Sequence, residues 1–276
     1  MAVHVVADSA SDIPPVVAEM LGITQVPVLV QLGNETFRDR VDLQPSEFYE
    51  RVVNSKIAPK TAANAPGVYT EAYEHLTADG DSVLSITVAA SLSGIYNSAR
   101  IGAQEFGDKV VVVDSTSASM GEGLIAIQAA RAAEKGASLA ELNELCQQLA
   151  PKTHVWAALN TLEFLHRGGR LSATQAFVGS LLQVKPILDV YSSNVTVVER
   201  IRTMRKAIDK LVELVKTAGP ASEMCILYSG SKDLADEVRA RLADDFPANK
   251  VFIAEAGPSI GTHAGPGAVG VAAILK

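Results

Sequence analysis

The chain alternates short runs of β-branched and other apolar residues with segments whose apolar residues recur every three or four positions. Runs of this kind are typical of buried strands, and the longer spacing is typical of amphipathic helices. Strands connected by helices tend to pair in parallel, because each crossover returns the chain in the same direction. The sequence therefore predicts an α/β protein. The predicted strands are Val3–Ala7, Thr24–Val30, Ser82–Val88, Lys109–Val113, Thr153–Leu159, Ile187–Val190, Val195–Val198, Met224–Tyr228 and Val251–Ala254.

The clearest predicted helix begins after Ser138. Glu141 follows three residues later, which is the spacing of a capping box, and a stripe of leucines continues until Pro151 ends the pattern. Two further helices are predicted from apolar stripes that begin at Ile95 and Leu234. These helices would cover the faces of the predicted sheets.

A chain of 276 residues is long enough for two modest domains. Its pattern changes near Pro151, from regular strand–helix units to sequence that is richer in glycine and loops. We therefore predict an N-terminal α/β domain over residues 1–155, with a largely parallel sheet, and a C-terminal α/β domain over residues 156–276. Two such lobes would leave a cleft between them, which is a common place for a small ligand.

The overall charge and the cysteines exclude several classes of protein. A formal net charge of −7 disfavours a nucleic-acid-binding protein. No apolar run approaches the roughly 18–20 residues that would span a bilayer, and the sequence opens directly into a predicted strand without a signal peptide. Cys146 and Cys225 lack the spacing of a zinc site or a disulfide framework. We expect a cytoplasmic protein with two buried free thiols.

Three predicted strands are each followed by a polar loop that contains serine: Asp8–Asp12, Ser91–Gly94 and Asp114–Ser117. Loops at the carboxyl ends of parallel strands converge on the ligand crevice, and the next helix offers free N–H groups to an anion. Ser93 and Gly94, directly before a helix, would supply a hydroxyl and backbone donors. Serine and aspartate also favour helix N-caps. We favour the capping role for the aspartates, whereas for Ser93 both roles remain open.

Two glycine-rich segments carry further candidate ligand residues. His263 lies in a stretch from Gly257 to Gly267 that holds it on an irregular backbone, where an imidazole could bond a carboxylate. Arg170 ends an Arg-Gly-Gly-Arg string, and its planar guanidinium suits a carboxylate or phosphate. The alternative for Arg170 is an ordinary surface arginine.

Enzyme motifs are absent from the sequence. It contains no phosphate-binding loop of the G-x-x-x-x-G-K-[ST] type, no G-x-G-x-x-G, no G-x-S-x-G elbow and no H-E-x-x-H metal pair. The missing motifs disfavour the enzyme classes that depend on them.

Several of these strings together resemble the DegV family, which includes the fatty-acid-binding subunits of the bacterial fatty acid kinase system. The resemblance extends over nearly the whole chain, and its order and spacing make it specific. The matching segments are Asp8-Ser9, Leu92-Ser93-Gly94-Ile95-Tyr96, Asp114-Ser115, Gly121-Glu122-Gly123, Arg167-Gly168-Gly169-Arg170, Val184-Lys185-Pro186-Ile187-Leu188 and Gly261-Thr262-His263-Ala264-Gly265-Pro266-Gly267.

The resemblance implies that Thr61, Ser93 and His263 hold the carboxylate of a fatty acid. The family usually continues this threonine as Thr-Ser-Gln-Pro-Ser, whereas this chain has alanine or asparagine at the next four positions up to Ala65. Secondary contacts near the head group are therefore expected to differ from those of the family.

The resemblance also implies a role as a carrier. The protein would bind one long-chain fatty acid and present its carboxylate to a separate ATP-dependent kinase, which forms an acyl phosphate. Arg170 would lie near the carboxylate mouth, and Arg202 would contribute to kinase docking, with a solvated helix end as the alternative for Arg202. The resemblance therefore implies no catalytic residue, no metal and no cofactor in this chain, with the bound fatty acid as its only ligand. Transient membrane contact is compatible with this role.

Candidate contacts for the acyl tail come from an apolar segment in the second half of the chain, for which plain core packing is the alternative. They are Phe177, Val178, Leu181, Leu182 and Ile187. Two other functions remain to be weighed. A lipid or acyl-ester hydrolase would use Ser93 as nucleophile and His263 as base, and would need an orienting acid and an oxyanion hole. A pure interaction protein would lack a dry cavity.

Overall fold

The computed structural model describes residues 2–55, 58–171, 184–247 and 251–276. Within these ranges the chain forms strands in three sheets, connected by helices. The strands are β1 (Val3–Asp8), β2 (Thr24–Val26), β3 (Leu29–Leu32), β4 (Glu35–Arg38), β5 (Lys60–Ala62), β6 (Ser82–Thr87), β7 (Val110–Asp114), β8 (Thr153–Ala158), β9 (Lys185–Tyr191), β10 (Asn194–Ile201), β11 (Ala221–Tyr228), β12 (Val251–Glu255) and β13 (Val269–Leu275). The helices are α1 (Pro15–Met20), α2 (Pro45–Asn54), α3 (Pro66–Thr77), α4 (Ile95–Gly102), α5 (Met120–Glu134), α6 (Leu139–Leu149), α7 (Glu163–Arg167), α8 (Met204–Ala218), α9 (Asp233–Leu242) and α10 (Pro258–Ala264).

The N-terminal lobe is built on a four-stranded sheet in the order β2-β1-β6-β7, and all of its strand pairs are parallel. This arrangement confirms the predicted α/β class and the parallel sheet. Helix α6 begins as predicted, because the Ser138 hydroxyl and the Glu141 carboxylate cap each other's backbone. The carboxyl ends of β1, β6 and β7 lie at one edge, where the polar loops follow.

The C-terminal lobe is built on a six-stranded mixed sheet in the order β10-β9-β8-β13-β11-β12. Strand β13 runs antiparallel to both β8 and β11, whereas β11 and β12 are parallel. The predicted domain boundary between residues 155 and 156 falls inside β8, which pairs along its length within this second sheet.

A small third sheet, β4-β3-β5, extends from the N-terminal lobe and carries Thr61 on β5. The predicted strand Thr24–Val30 is divided here, because β2 ends at Val26 and β3 begins at Leu29. Pro27 lies in the gap and has no N–H to contribute to a ladder. The two halves of the predicted strand therefore join different sheets.

Helix α5 packs between the two large sheets and joins their cores. Its first residues, from Met120 to Ile127, are all buried. A Cβ on Gly121 would lie 2.6 Å from Cγ2 of Val155, and one on Gly123 would lie 2.6 Å from the Ser11 carbonyl. The close approach of α5 to both lobes therefore depends on these two glycines. One apolar cluster contains residues from both sheets as a result.

The hairpin of β9 and β10 reaches back to the N-terminal lobe. Its turn residues, Ser192 and Ser193, both have positive φ angles, of 47° and 66°. The Ser91 hydroxyl donates a 2.5 Å hydrogen bond to the Ser193 carbonyl, and the Ser193 N–H donates one of 2.8 Å to the Thr116 carbonyl. The hairpin tip is thus attached to the loops that follow β6 and β7.

Both cysteines, Cys146 and Cys225, are buried and free, which confirms the expectation for the thiols. In the ranges that the structure describes, no helix combines the length and apolarity needed to cross a membrane. Those ranges also bring together no group of three or more histidine, cysteine, aspartate or glutamate side chains fit to hold a metal ion.

Candidate functional site

A deep pocket lies between the two lobes, with a volume of about 1170 Å³ when its open mouth is included. The carboxyl-end loops of β1 and β6 form one side, and one face of the six-stranded sheet forms the other. Its wall is mainly apolar, with side chains from both lobes. They include Val28, Val88 and Ile95 from the first lobe and Leu188, Val190 and Leu227 from the second.

The sheet side of the pocket is lined at its centre by two small residues. Gly270 on β13 pairs with Ala157 on β8, and these two small residues lie between Leu227 on β11 and Leu188 on β9. All four line the pocket. Because side chains alternate across a strand, one cross-strand row faces the pocket while its neighbours face the helices behind the sheet. This row forms an apolar floor that suits a narrow, flexible chain.

Thr61 and His263 meet at the polar end of this pocket. The Thr61 hydroxyl lies 3.0 Å from Nε2 of His263, although the two residues are 202 positions apart in sequence. Thr61 is positioned by β5, where it pairs with Val30, and His263 by α10. Two of the three residues that the family resemblance implied thus come from different lobes and form one contact.

The imidazole of His263 is neutral near pH 7. Burial, with the nearby positive charge of Arg170, lowers the pKa of His263 to about 4. Nδ1 has no hydrogen-bond partner among the described residues, and a Cβ on Gly168 would lie only 2.2 Å from it. A neutral ring has one N–H and one free lone pair, so His263 can act toward a ligand as a donor without a fixed charge.

Ser93 and Gly94 line the same pocket as Thr61 and His263. The Ser93 oxygen accepts a 3.3 Å hydrogen bond from the N–H of Ile95, the first residue of α4. Its own hydrogen remains available to a ligand, so the capping role and the ligand role are compatible. A Cβ on Gly94 would lie 3.6 Å from Cβ of Ala63, which places this turn beside the strand of Thr61.

Arg170 is held at the pocket by backbone carbonyls of both lobes. Its Nε donates to the Leu92 carbonyl at 3.0 Å, and its Nη1 donates to the Gly168 carbonyl at 2.6 Å. Gly169 has a φ angle of 70°, a left-handed conformation that glycine adopts without strain and that turns the chain after α7. The Arg-Gly-Gly-Arg string therefore serves both to seat His263 and to place a guanidinium in the pocket wall.

The remaining predicted site residues lie elsewhere. Arg202 is exposed between β10 and α8 and is not among the residues that line the pocket. Ile187 is buried on the opposite face of the sheet, in a cluster with Trp156 and Ile208, so on β9 it is the neighbouring Leu188 that reaches the pocket. Four predicted tail contacts lie outside the described residues, namely Phe177, Val178, Leu181 and Leu182.

Compared with the usual family sequence, the residues that follow Thr61 in this chain are mostly apolar. Ala62 and Ala63 line the pocket, whereas Asn64 turns inward and its amide donates to the Pro27 carbonyl at 2.8 Å. The departure from the usual family sequence therefore leaves the pocket rim less polar and uses Asn64 to hold the backbone of the first lobe.

Sequence reasoning missed a group of buried acids behind the pocket: Asp8, Asp12, Asp39 and Glu122. Asp8 does cap the turn after β1 through the N–H of Ala10, but it also accepts from the N–H of Val88. Burial raises the pKa of Asp8 and of Asp39 to about 7, and it also raises those of Asp12 and Glu122. Asp8, Asp12 and Glu122 lie beside serines or glycines and Asp39 lies between two arginines, and these positions gave no sequence signal beyond that of helix caps.

Comparison with known proteins finds relatives that are similar along the whole chain. A family model described as "Uncharacterised protein, DegV family" matches residues 2–276. A DegV domain-containing protein of Caldanaerobacter subterraneus subsp. tengcongensis is 33% identical over 274 residues, which cover 98% of this chain and 97% of that protein.

Solved structures show the same similarity. A Thermus thermophilus structure, described as fatty acid binding of a DegV family protein, has a TM-score of 0.92 and 33% identity and covers all of both chains. A Bacillus subtilis structure, described as DegV, a fatty acid binding protein, has a TM-score of 0.89 and 31% identity, again with 100% of each chain covered.

Proposed function

Since the chain belongs to the DegV family, we propose that it binds one long-chain fatty acid between its lobes and presents the carboxylate to a separate kinase. The observation that carries this proposal is the contact between Thr61 and His263 at the polar end of a pocket whose other walls are apolar. Relatives of known structure are described as fatty acid binding proteins. The same ligand class fits the shape and chemistry of this pocket.

The head group would be held mainly by hydrogen bonds from uncharged groups. Thr61 and Ser93 offer hydroxyls, His263 offers one N–H from a neutral ring, and Gly94 precedes the free N–H groups of α4. A carboxylate withdrawn from water needs several such donors. Because none of these four groups is a permanent cation, one carboxylate oxygen keeps its nucleophilic character for phosphoryl transfer.

The acyl tail would supply most of the affinity. Burial of about a dozen methylenes at about 0.8 kcal/mol each contributes roughly 10 kcal/mol before ordering costs. The floor made by Gly270 and Ala157, with Leu188, Val190 and Leu227 beside it, offers that apolar surface. The tail thus provides affinity, and the head-group residues provide orientation.

Such a carrier needs no catalytic residue and no cofactor of its own. A partner kinase would bring ATP and metal and form the acyl phosphate. Arg170, which is held by two backbone carbonyls, would keep the loops at the pocket mouth in place near the carboxylate. Arg202, which is exposed, would take part in docking of the kinase. A cytoplasmic location and transient contact with membranes, from which fatty acids are taken up, fit this role.

The site offers no support for the hydrolase alternative. Nε2 of His263 is bonded to Thr61 rather than to Ser93, and the Ser93 oxygen accepts from the N–H of Ile95. Nδ1 of His263 faces Gly168 and meets no carboxylate in the described part of the chain. A serine hydrolase needs a base that contacts the nucleophile and an acid that orients the base.

Denaturing mass spectrometry of the purified protein tests the proposal. We expect about one fatty acid per chain after expression in a bacterial host, because a large apolar cavity is unstable when it stands open to water. Delipidated protein should regain one equivalent from a fatty acid and should bind the matching fatty alcohol about ten- to a hundredfold more weakly, because the alcohol keeps the tail but lacks the carboxylate. A protein that purifies without lipid and takes up no fatty acid would refute the proposal.

A further inference from the structure

The loop that leads from β12 into α10 is held by the opposite lobe. Three residues of the N-terminal lobe, Asp12, Asp39 and Arg40, contact the backbone between Glu255 and Ser259, and we call these three the inter-lobe clamp. Asp12 follows β1, and the other two follow β4. Since α10 carries His263, the clamp acts on the helix that provides half of the head-group contact.

The clamp makes a hydrogen bond to each of three backbone groups in this loop. Oδ1 of Asp12 accepts from the Gly257 N–H at 2.7 Å, and Oδ2 of Asp39 accepts from the Ser259 N–H at 3.3 Å. Nη2 of Arg40 donates to the Glu255 carbonyl at 2.6 Å and also lies 3.2 Å from Oδ1 of Asp12. The two carboxylates therefore satisfy N–H groups at the start of α10 that the helix itself leaves free.

A left-handed residue on one lobe and a close-packed glycine on the other permit this arrangement. Arg40 has a φ angle of 62°, a left-handed conformation that is uncommon for a residue with a side chain. A Cβ on Gly257 would lie 2.9 Å from Nε of Arg40 and 3.1 Å from Oδ1 of Asp39, so only glycine lets the guanidinium lie against this backbone. A strained arginine and a close-packed glycine, from opposite lobes, thus meet at one point.

The clamp and the ligand site are the two ends of one short helix. α10 extends from Pro258 to Ala264, with the clamp at its start and His263 near its end. At a rise of about 1.5 Å per residue, this short helix is a rigid connection between the two. A rotation or shift of the start of α10 is therefore transmitted to the imidazole, which must meet Thr61 of the other lobe.

We propose that Arg40, together with Asp12 and Asp39, is a positioning residue that sets the orientation of α10 and so keeps the His263 ring against Thr61. This inference rests on the proposed fatty acid site. It deepens that proposal by naming the residues that keep His263 aligned with Thr61 across the two lobes. Arg40 does not line the pocket and acts only through His263.

The test compares two arginine variants two positions apart. Arg40→Gln removes the clamp cation, whereas Arg38→Gln removes an exposed arginine whose partner is Asp42. Protein with ¹⁵N-labelled histidine, assigned with His263→Gln, would be observed by NMR without lipid and would be titrated with a fluorescent fatty acid. We expect Arg40→Gln to change both ring ¹⁵N shifts of His263 and to weaken fatty acid binding about tenfold, the scale of one lost bond to a charged group. Arg38→Gln should change neither.

Two further variants keep the test decisive if Arg40→Gln does not fold. Arg40→Lys retains the charge and should return the His263 shifts part of the way to those of the wild type. Gly257→Ala leaves every charge in place but displaces the guanidinium, and should shift the His263 signals as Arg40→Gln does. Unchanged His263 signals in the folded variants would overturn the positioning role, whereas wild-type protein that binds no fatty acid would refute the proposed function and leave the NMR comparison valid.

Discussion

At the scale of single residues, the site depends on small side chains as much as on polar ones. Nδ1 of His263 faces the backbone of Gly168, and this contact leaves no room for a methyl group. Thr61 meets the other side of the same ring. The imidazole is therefore fixed between a glycine and a threonine, and its orientation depends on both.

Replacement of Gly168 should disturb the head-group site without loss of the fold. In Gly168→Ala the new methyl group would lie 2.2 Å from Nδ1, so the ring has to rotate away from Thr61. We expect fatty acid affinity to fall by about one to two powers of ten, as for the loss of one or two hydrogen bonds to a charged group. Gly67→Ala is the matched control, since a Cβ there meets nothing within 4 Å. Equal affinities, measured by fluorescent fatty acid displacement, would contradict the prediction.

The surface arginine can be separated from the pocket by its effects on rate and affinity. Arg202→Ala should leave fatty acid affinity unchanged, because Arg202 is exposed and does not line the pocket. Phosphorylation by a cognate kinase should slow, since loss of a charge at a docking surface affects association. Arg205→Ala removes a second exposed arginine from the start of α8 and serves as the comparison. Identical kinase kinetics for Arg202→Ala and wild type would show that Arg202 has no part in docking.

At the scale of elements, sequence pattern predicted those that carry their own local signal. The capping box of α6 and the apolar runs of β1, β6 and β7 were found close to their observed bounds. β4 and β5 were missed, because they are short and partly polar and owe their existence to pairing with β3. β13 was missed as well, since its small residues follow a glycine-rich loop and gain strand structure from two neighbours.

Only some residues of the candidate site could be predicted from the sequence. Ser93 and His263 had signals of their own, in a turn before a helix and in a glycine-rich loop. Thr61 came only from the family resemblance, because a lone threonine in a polar segment has no pattern that marks it. The floor residues Ala157 and Gly270 were not found, since their role depends on the register between strands that lie more than a hundred positions apart.

In the described part of the chain, the β9–β10 hairpin is placed where it could control entry of the proposed ligand. Leu188, Val190 and Val195 of this hairpin line the pocket, and its tip is attached to the other lobe by the bonds of Ser193. Ser91→Ala removes one of these bonds. We expect the rate of fatty acid exchange to rise several-fold, because the local opening of an exposed tip becomes easier when a hydrogen bond of roughly 1 kcal/mol is lost.

Stopped-flow exchange of a fluorescent fatty acid measures this effect. Ser46→Ala, which alters an exposed serine of α2, is the control. Equilibrium affinity should change little in Ser91→Ala, because Ser91 does not line the pocket. An exchange rate equal to that of the wild type would show that the ligand does not enter by this hairpin.

At the scale of the whole molecule, the buried acids set how stability depends on pH. The folded-state pKa of Asp8 and of Asp39 is about 7, well above the ordinary value of 3.8. The folded protein therefore binds more protons than the unfolded chain between these values, and its stability falls as pH rises through this window. His263 has the opposite effect, because its pKa is lowered to about 4 and its contribution is lost as pH falls from 6.5.

The buried acids outnumber the histidine, so they should dominate the pH dependence of stability near neutral pH. We expect the lipid-free protein to melt roughly 5 °C higher at pH 6 than at pH 8, at about 2–4 °C per kcal/mol for a chain of this size. Asp8→Asn should reduce this difference, because the amide keeps an acceptor for the backbone but no longer titrates. A melting temperature that rises steadily from pH 6 to pH 8 would contradict the assignment.

The position of β13 also determines when the molecule can be completed during synthesis. β13 is made after β8, β9, β10, β11 and β12, yet it lies between β8 and β11 in the finished sheet. Until residues 269–275 leave the ribosome, the six-stranded sheet exists only as two separate fragments, each with an unpaired edge that can aggregate. The parallel sheet of the first lobe can form earlier, because β2, β1, β6 and β7 are all synthesised before β8. A nascent chain should therefore acquire protease resistance in its first lobe well before the second, and the proposed fatty acid pocket lacks the floor residue Gly270 until the central strand has been inserted.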